Sequence, residues 1–262
     1  MKPFTLNKAP VSAIQKKARL FAVLFWLILW QLAASAVALP LLLPTPLAVG
    51  GRLASLAVTA PFWRSIGYSL LRILGGFSGG LVCGALLAAL AFALPWVKAV
   101  VDLPMAVIKT APVASFIILA LVWISGSHLS LFISFLMVLP LVYGNVLQGL
   151  QSADPQLLEM AQVFRFSVFQ VWRSIYLPAA LPSFYAALKT ALGFAWKSGI
   201  AGEVLAIPSG ALGTQLYQAK VALETTDLFA WTAVIILLSM LLEKAFLRFL
   251  KPVVSAQRGD TP

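Results

Sequence analysis

The sequence predicts an all-α, polytopic membrane protein with six transmembrane helices, both termini cytoplasmic and a helical cytoplasmic loop, and three observations predict it. Hydrophobic residues make up 61% of the 262 and charged residues 10%, whereas soluble domains carry about 25% charged residues. Mean hydropathy is +0.96. Apolar runs near the length that crosses the hydrocarbon, about 20 residues of helix, occupy 20–39, 66–94, 99–124, 129–148, 184–207 and 228–248. Basic residues gather at the ends of these runs, and mostly on one side. The net charge of +11 could suggest nucleic acid, but binders of nucleic acid collect basic residues on one solvated face, and here they sit at the ends of apolar runs.

The N-terminal tail, residues 1–19, carries Lys2, Lys8, Lys16, Lys17 and Arg19, and the C-terminal tail, 251–262, continues the basic run of Lys244, Arg248, Lys251 and Arg258. With Lys98, Arg165, Arg173 and Lys189 these make thirteen basic residues on one side, against Arg52, Arg64, Arg72 and Lys220 on the other. Basic loops stay in the cytoplasm, which puts both ends and the loop 154–178 inside. The first span, 20–43 with its exit, also reads as a cleaved leader, because Ala36-Val37-Ala38 matches a small-residue cleavage site.

Residues 44–65 form an external segment with room for a short interfacial helix, and 66–250 form the core domain. In the second span, Gly75/Gly79, Gly76/Gly80 and Gly80/Gly84 are small-xxx-small pairs that let another helix approach closely. That helix belongs either to the same bundle or to a second copy. Pro104 and Pro112 interrupt the third span and Pro140 lies in the fourth. Proline frees a carbonyl and kinks a helix, which membrane proteins tolerate beside protein or a watery cavity. Such spans are candidates for lining a path.

The loop 154–178 reads as two short helices. Asp154-Pro155 is a helix start, with the carboxylate accepting from free N–H groups and Pro in the first turn. Ser167 followed by Gln170 is a capping box that opens a second helix. Leu157, Leu158, Ala161 and Phe164 recur at helical spacing and give the first helix one apolar face, suited to a partner's groove or to lipid headgroups.

Within this loop, Glu159-Met160-Ala161 is followed at fixed spacing by Ile175-x-Leu177-Pro178. The pattern resembles the signature loop of bacterial ABC-importer permeases: EAA, three residues, Gly, nine residues, Ile-x-Leu-Pro. Glu159, Ala161, Ile175, Leu177 and Pro178 are in register, Met160 replaces the first Ala and Arg165 stands at the Gly. A turn there favours glycine, and Arg costs on the order of 1 kcal/mol. WQLAAS, LPTP and the LP-x-x-LP exit extend the resemblance over residues 25 to 250, toward the group that imports nitrate, sulfonates, taurine, bicarbonate or pyrimidine precursors. The resemblance implies a permease subunit in a prokaryotic inner membrane, working as a homodimer with an ABC ATP-binding subunit and an external solute-binding protein. It also implies that Asp154, Glu159, Ala161, Arg165, Ile175, Leu177 and Pro178 form the ATPase-coupling loop. The expected solute is an organic or inorganic anion, with a vitamin precursor as the alternative.

Charges inside spans cost at least about 2.5–3.5 kcal/mol each. In the fifth span these are Lys197 and Glu203, the latter resembling a Glu that relatives carry near the outer end. Six residues on a helix turn through about 600° and leave the side chains about 120° apart, so they do not pair. Lys197 needs another partner: a carboxylate such as Asp102, an anionic solute, or the interface by snorkelling; Lys197, Glu203, Lys109 and Asp102 are the candidates for lining a substrate path. His128 in GSHLS reads as a solvated loop residue and Cys83 as an apolar one. No phosphate loop, zinc spacing or catalytic constellation is present in the sequence, which predicts a transport subunit with no cofactor, no metal and no reaction of its own. A secondary transporter, the reading from another class, needs inverted repeats, and none is visible.

Overall fold

The computed structural model describes residues 11–257; Lys2, Lys8 and Arg258, used above for topology, lie outside the described residues. Eleven α-helices and one π-helical turn follow one another among these residues, with no strand. Four helices are long and apolar enough to cross a membrane: α1 (Val11–Val37), α3 (Ala60–Ala93), α6 (Gly126–Gln151) and α11 (Thr225–Gln257). The pair α4 (Pro95–Thr110) and α5 (Val113–Ala120) adds a fifth if counted as one span. Helix α9 (Leu177–Ala206) is 30 residues long, about 45 Å at 1.5 Å per residue, but is not among the helices that meet that apolar standard.

The segment before the second long helix is shorter than expected. Thr45 caps α2 (Pro46–Ala57), its hydroxyl accepting from the Ala48 N–H at 3.3 Å, and Pro46 sits in the first turn. α3 then begins at Ala60 instead of residue 66. The third span is corrected more sharply: it is two helices bent by 106° at Ala111-Pro112. Ala111 is extended (φ −75°, ψ 143°), as the residue before a proline prefers, while Pro104 and Pro140 stay inside α4 and α6. The fifth helix starts seven residues earlier than expected, at Leu177, and stops where Ile207 turns left-handed at φ 50°.

α6 is the centre of the bundle, clasped between α3 and α9. Ile73, Val138, Val142, Ala191 and Ala195 are fully buried in the shared core. The glycine pairs serve this bundle. A Cβ built on Gly76, Gly80 or Gly84 would lie 2.2, 2.8 or 2.9 Å from the carbonyl oxygens of Leu131, Phe135 and Leu139. Glycines four apart on α3 thus ride over carbonyls four apart on α6, the backbone contact that small residues permit. α9 closes in similarly, a Cβ on Gly199 falling 2.5 Å from Ser134 Oγ.

The outer layer is tied on by polar contacts. Arg52 of α2 binds Asp227 of α11 through two hydrogen bonds of 2.5 and 2.7 Å, a bidentate geometry that raises the Arg52 pKa above its ordinary value. The Trp30 indole N–H donates to the Pro44 carbonyl at 3.1 Å and its ring lies 5.7 Å from Phe229. Most of the apolar side chains of α1 remain exposed, from Leu20 to Leu32.

Candidate functional site

The loop forms as its caps predict. Asp154 accepts from the Gln156 N–H at 2.8 Å and starts α7 (Pro155–Val163). The Ser167/Gln170 box, with both reciprocal bonds present, starts α8 (Val168–Val171). Between them Arg165 has φ 54°. Its N–H donates to the Gln162 carbonyl at 3.1 Å, and the Phe166 N–H donates to Ala161 at 2.9 Å. These two bonds define a Schellman stop whose left-handed residue is ordinarily glycine. Arg165→Gly is expected to raise stability by about 1 kcal/mol, since only glycine adopts that backbone without a Cβ penalty. Thermal unfolding of the purified protein checks it, and an unchanged or lowered Tm contradicts the account.

The expected single apolar face of α7 is divided. Ala161 is buried at 3% exposure, so the small residue of the motif faces the protein's own body. Phe164, at 69%, faces out with Leu157, Met160, Val163, Val168 and Phe169. Glu159, Asp154 and Arg165 are exposed on the same loop. α8 does not end freely; it passes through a π-helical turn, Trp172–Tyr176, straight into α9. Ile175 is buried in that turn, and Leu177 and Pro178 follow it as the first residues of α9. Trp172 and Tyr176 pack edge-to-face against Phe92 of α3 with centroids 5.7 and 4.8 Å away. The loop therefore grips two core helices, one by chain continuity and one by aromatic packing.

The charged residues of the span helices have different surroundings. Asp102 binds Lys98 of its own helix and accepts from the buried Tyr143 hydroxyl at 2.6 Å. The expected Asp102 partnership with Lys197 is thereby corrected: a residue one turn away reaches Asp102 with less side-chain ordering. Lys109 lies exposed against α6, its Nζ 2.9 Å from where a Gly144 Cβ would be. Glu203 is fully buried. Its Oε2 accepts from Ser69 Oγ at 2.7 Å and from the Gly213 N–H at 3.1 Å, while Ser69 Oγ accepts from the Leu212 N–H at 2.9 Å. Glu203 and Ser69 thus cap the first turn of α10 (Leu212–Val221), a favourable place for a carboxylate. Arg72 stacks on Tyr68, its guanidinium carbon 4.0 Å from the ring centroid.

Lys197 makes no ion pair among the described residues. It lines a groove of about 410 Å³ between α9 and α11 with Lys189, Thr190, Trp196, Ser239 and Glu243. Lys189 and Glu243 approach to 3.6 Å across it, both about half exposed. Ser69, Tyr143 and Glu243 carry roles that the motif search did not assign. Glu243 had a signal, an acid opposite basic residues at a span end; Ser69 and Tyr143 had none.

A bundle of long apolar helices with a capped, solvent-facing loop on two core helices is the architecture of a membrane-embedded transport subunit. Residues 80–255 match the family described as binding-protein-dependent transport system inner membrane component, and the chain belongs to that family. It is 27% identical over 220 residues, 82% of this chain and 80% of that one, to the taurine transport system permease protein TauC of Escherichia coli (strain K12). It is 26% identical over 226 residues, covering 85% and 81%, to the putative aliphatic sulfonates transport permease protein SsuC of Bacillus subtilis (strain 168). A crystal structure of an amino acid ABC transporter with histidines superposes with a TM-score of 0.62 over 77% of this chain and 96% of that one, at 18% identity, and so supports the fold. The protein is a permease subunit of an ABC importer in the inner membrane, a transport component and not an enzyme.

Proposed function

We propose that two copies of this chain, each with six spans and cytoplasmic termini, enclose a path for a small anion. In this reading α7 and α8 dock on an ATP-binding subunit and a solute-binding protein delivers the anion from outside. One observation carries the anion reading: Lys197, without an ion pair among the described residues, lines a groove in the span region of α9. An ionisable side chain at that depth turns toward a bundle interior or a watery path and not toward lipid. The relatives named for taurine and aliphatic sulfonates accord with an anionic group on the solute. The outward apolar rim of the loop, Phe164 and Phe169 among it, suits a groove on a partner. Movement of that partner reaches α9 through the continuous π turn and α3 through Phe92, which favours a rigid-body alternation of the path. Lipid covers the exposed face of α1.

Uptake into cells or vesicles, read together with co-purification of the ATP-binding subunit, tests both halves. Glu159→Lys is expected to lower uptake and loosen the ATP-binding subunit while the chain still inserts, because the exposed carboxylate meets a basic residue of the partner. Lys197→Met is expected to leave assembly and basal ATP hydrolysis intact and to abolish uptake. Full uptake in Glu159→Lys overturns the coupling role, and full uptake in Lys197→Met overturns the anion path.

A further inference from the structure

We infer that the α9–α11 groove is a selectivity site for monovalent anions, in which Glu243 cancels Lys189 and leaves Lys197 as the single uncompensated charge. The inference rests on the anion reading above and adds to it the valence of the solute and two residues that set it. The groove holds three charged side chains, Lys189, Lys197 and Glu243. Lys189 faces Glu243 at 3.6 Å, and Lys197 stands eight residues further along α9, about 12 Å away at 1.5 Å per residue. Two positive formal charges and one negative leave one positive charge for a bound solute.

Lys189 and Glu243 are about half exposed, so water screens the groove's charge, yet at the effective dielectric near a protein surface its net charge still weighs on which valence it holds. A monoanion beside Lys197 is neutralised with nothing left over. A dianion keeps one negative charge uncompensated, because the paired Lys189 and Glu243 offer it no net counter-charge. At an effective dielectric of about 20 and a separation of about 8 Å, one unit charge changes the preference between a dianion and a monoanion by roughly thirtyfold. Thr190 of α9 and Ser239 of α11 also line the groove, and their hydroxyls suit the oxygens of a tetrahedral or planar oxyanion. The groove's volume, about 410 Å³, falls within the roughly 300–1,000 Å³ usual for small-molecule sites.

Equilibrium dialysis of the detergent-purified permease with its ATP-binding subunit, using radiolabelled methanesulfonate and sulfate at equal ionic strength, measures the preference. Wild type is expected to bind methanesulfonate at least about tenfold more tightly than sulfate, and Lys197→Met to bind neither. Glu243→Gln adds one positive charge and is expected to shift the preference toward sulfate by about thirtyfold. Lys189→Gln together with Glu243→Gln restores the wild-type net charge and is expected to restore the methanesulfonate preference, although the ion pair is gone. A merely structural pair predicts the opposite, with the double variant no better than Glu243→Gln. If Lys197→Met abolishes binding but Glu243→Gln leaves the preference unchanged, the charge count is wrong and the anion reading stands. If Lys197→Met binds both anions as wild type does, the anion reading itself falls. The double variant keeps the test decisive should Glu243→Gln fail to assemble, because its preference is predicted by charge alone.

Discussion

Gly76→Ala is expected to cost about 3 kcal/mol or more, the upper end of overpacking penalties, and to lower Tm by roughly 6–12 °C on the scale of a protein this size. The new methyl carbon would lie 2.2 Å from the Leu131 carbonyl oxygen and 2.8 Å from Ser134 Cβ. Neither neighbour is the tip of a flexible side chain, so α3 and α6 must part. Gly80→Ala and Gly84→Ala, at 2.8 and 2.9 Å from carbonyl oxygens, follow with smaller losses. Gly75→Ala is the control: its Cβ meets only Leu131 Cδ1 at 3.5 Å, an ordinary contact, and alanine's helix propensity adds up to about 1 kcal/mol. Thermal unfolding of the four variants in one detergent checks the order. Equal stability for Gly75→Ala and Gly76→Ala would refute the backbone contact between α3 and α6.

That contrast shows what the sequence discloses and what it leaves hidden. The glycine spacing announced a close helix contact, but spacing alone names no partner; only the register of Gly76, Gly80 and Gly84 over α6 carbonyls places it inside this bundle. The loop was legible almost residue by residue, because caps act within a few positions of themselves: Asp154, the Ser167/Gln170 box and the left-handed turn at Arg165 all obey local rules. The inward turn of Ala161 was not, since which side of an amphipathic helix meets the body depends on what lies beside it. Pro112 marked a break, yet proline chemistry does not set the bend of 106°; α5 takes its direction from packing on α6 and α9. Long-range pairs were the least legible. Ser69 and Glu203 are 134 residues apart and Asp102 and Tyr143 41 apart, and a serine or tyrosine in an apolar run carries no sign of the partner it will find. Lys197 invited a neighbour's carboxylate, and Asp102 went instead to Lys98, four residues away.

Glu203→Ala is expected to cost about 3–5 kcal/mol, in the range for removing one partner from a buried charged network. Two donors lose their acceptor together, the Ser69 hydroxyl and the Gly213 N–H, and unsatisfied buried groups cost about 1–3 kcal/mol each. The N-terminus of α10 sits hard on this site, with a Cβ at Gly213 falling 2.5 Å from Glu203 Cβ, so its release should be visible as proteolysis in 207–211, the segment joining α9 to α10. Glu203→Gln separates the charge from the bond. Its carbonyl oxygen can take the place of Oε2, and its amide N–H₂ can face the buried Ser130 Oγ beside it. The glutamine variant should therefore stay within about 1 kcal/mol of wild type, the net worth of an ordinary hydrogen bond. Alanine and glutamine variants equally stable with wild type would remove Glu203 from any structural role. A glutamine variant that is stable and keeps α10 protected, but has lost uptake, would instead place the carboxylate charge on the solute's route; stable and active, it fixes Glu203 as the cap that holds α10 against the bundle.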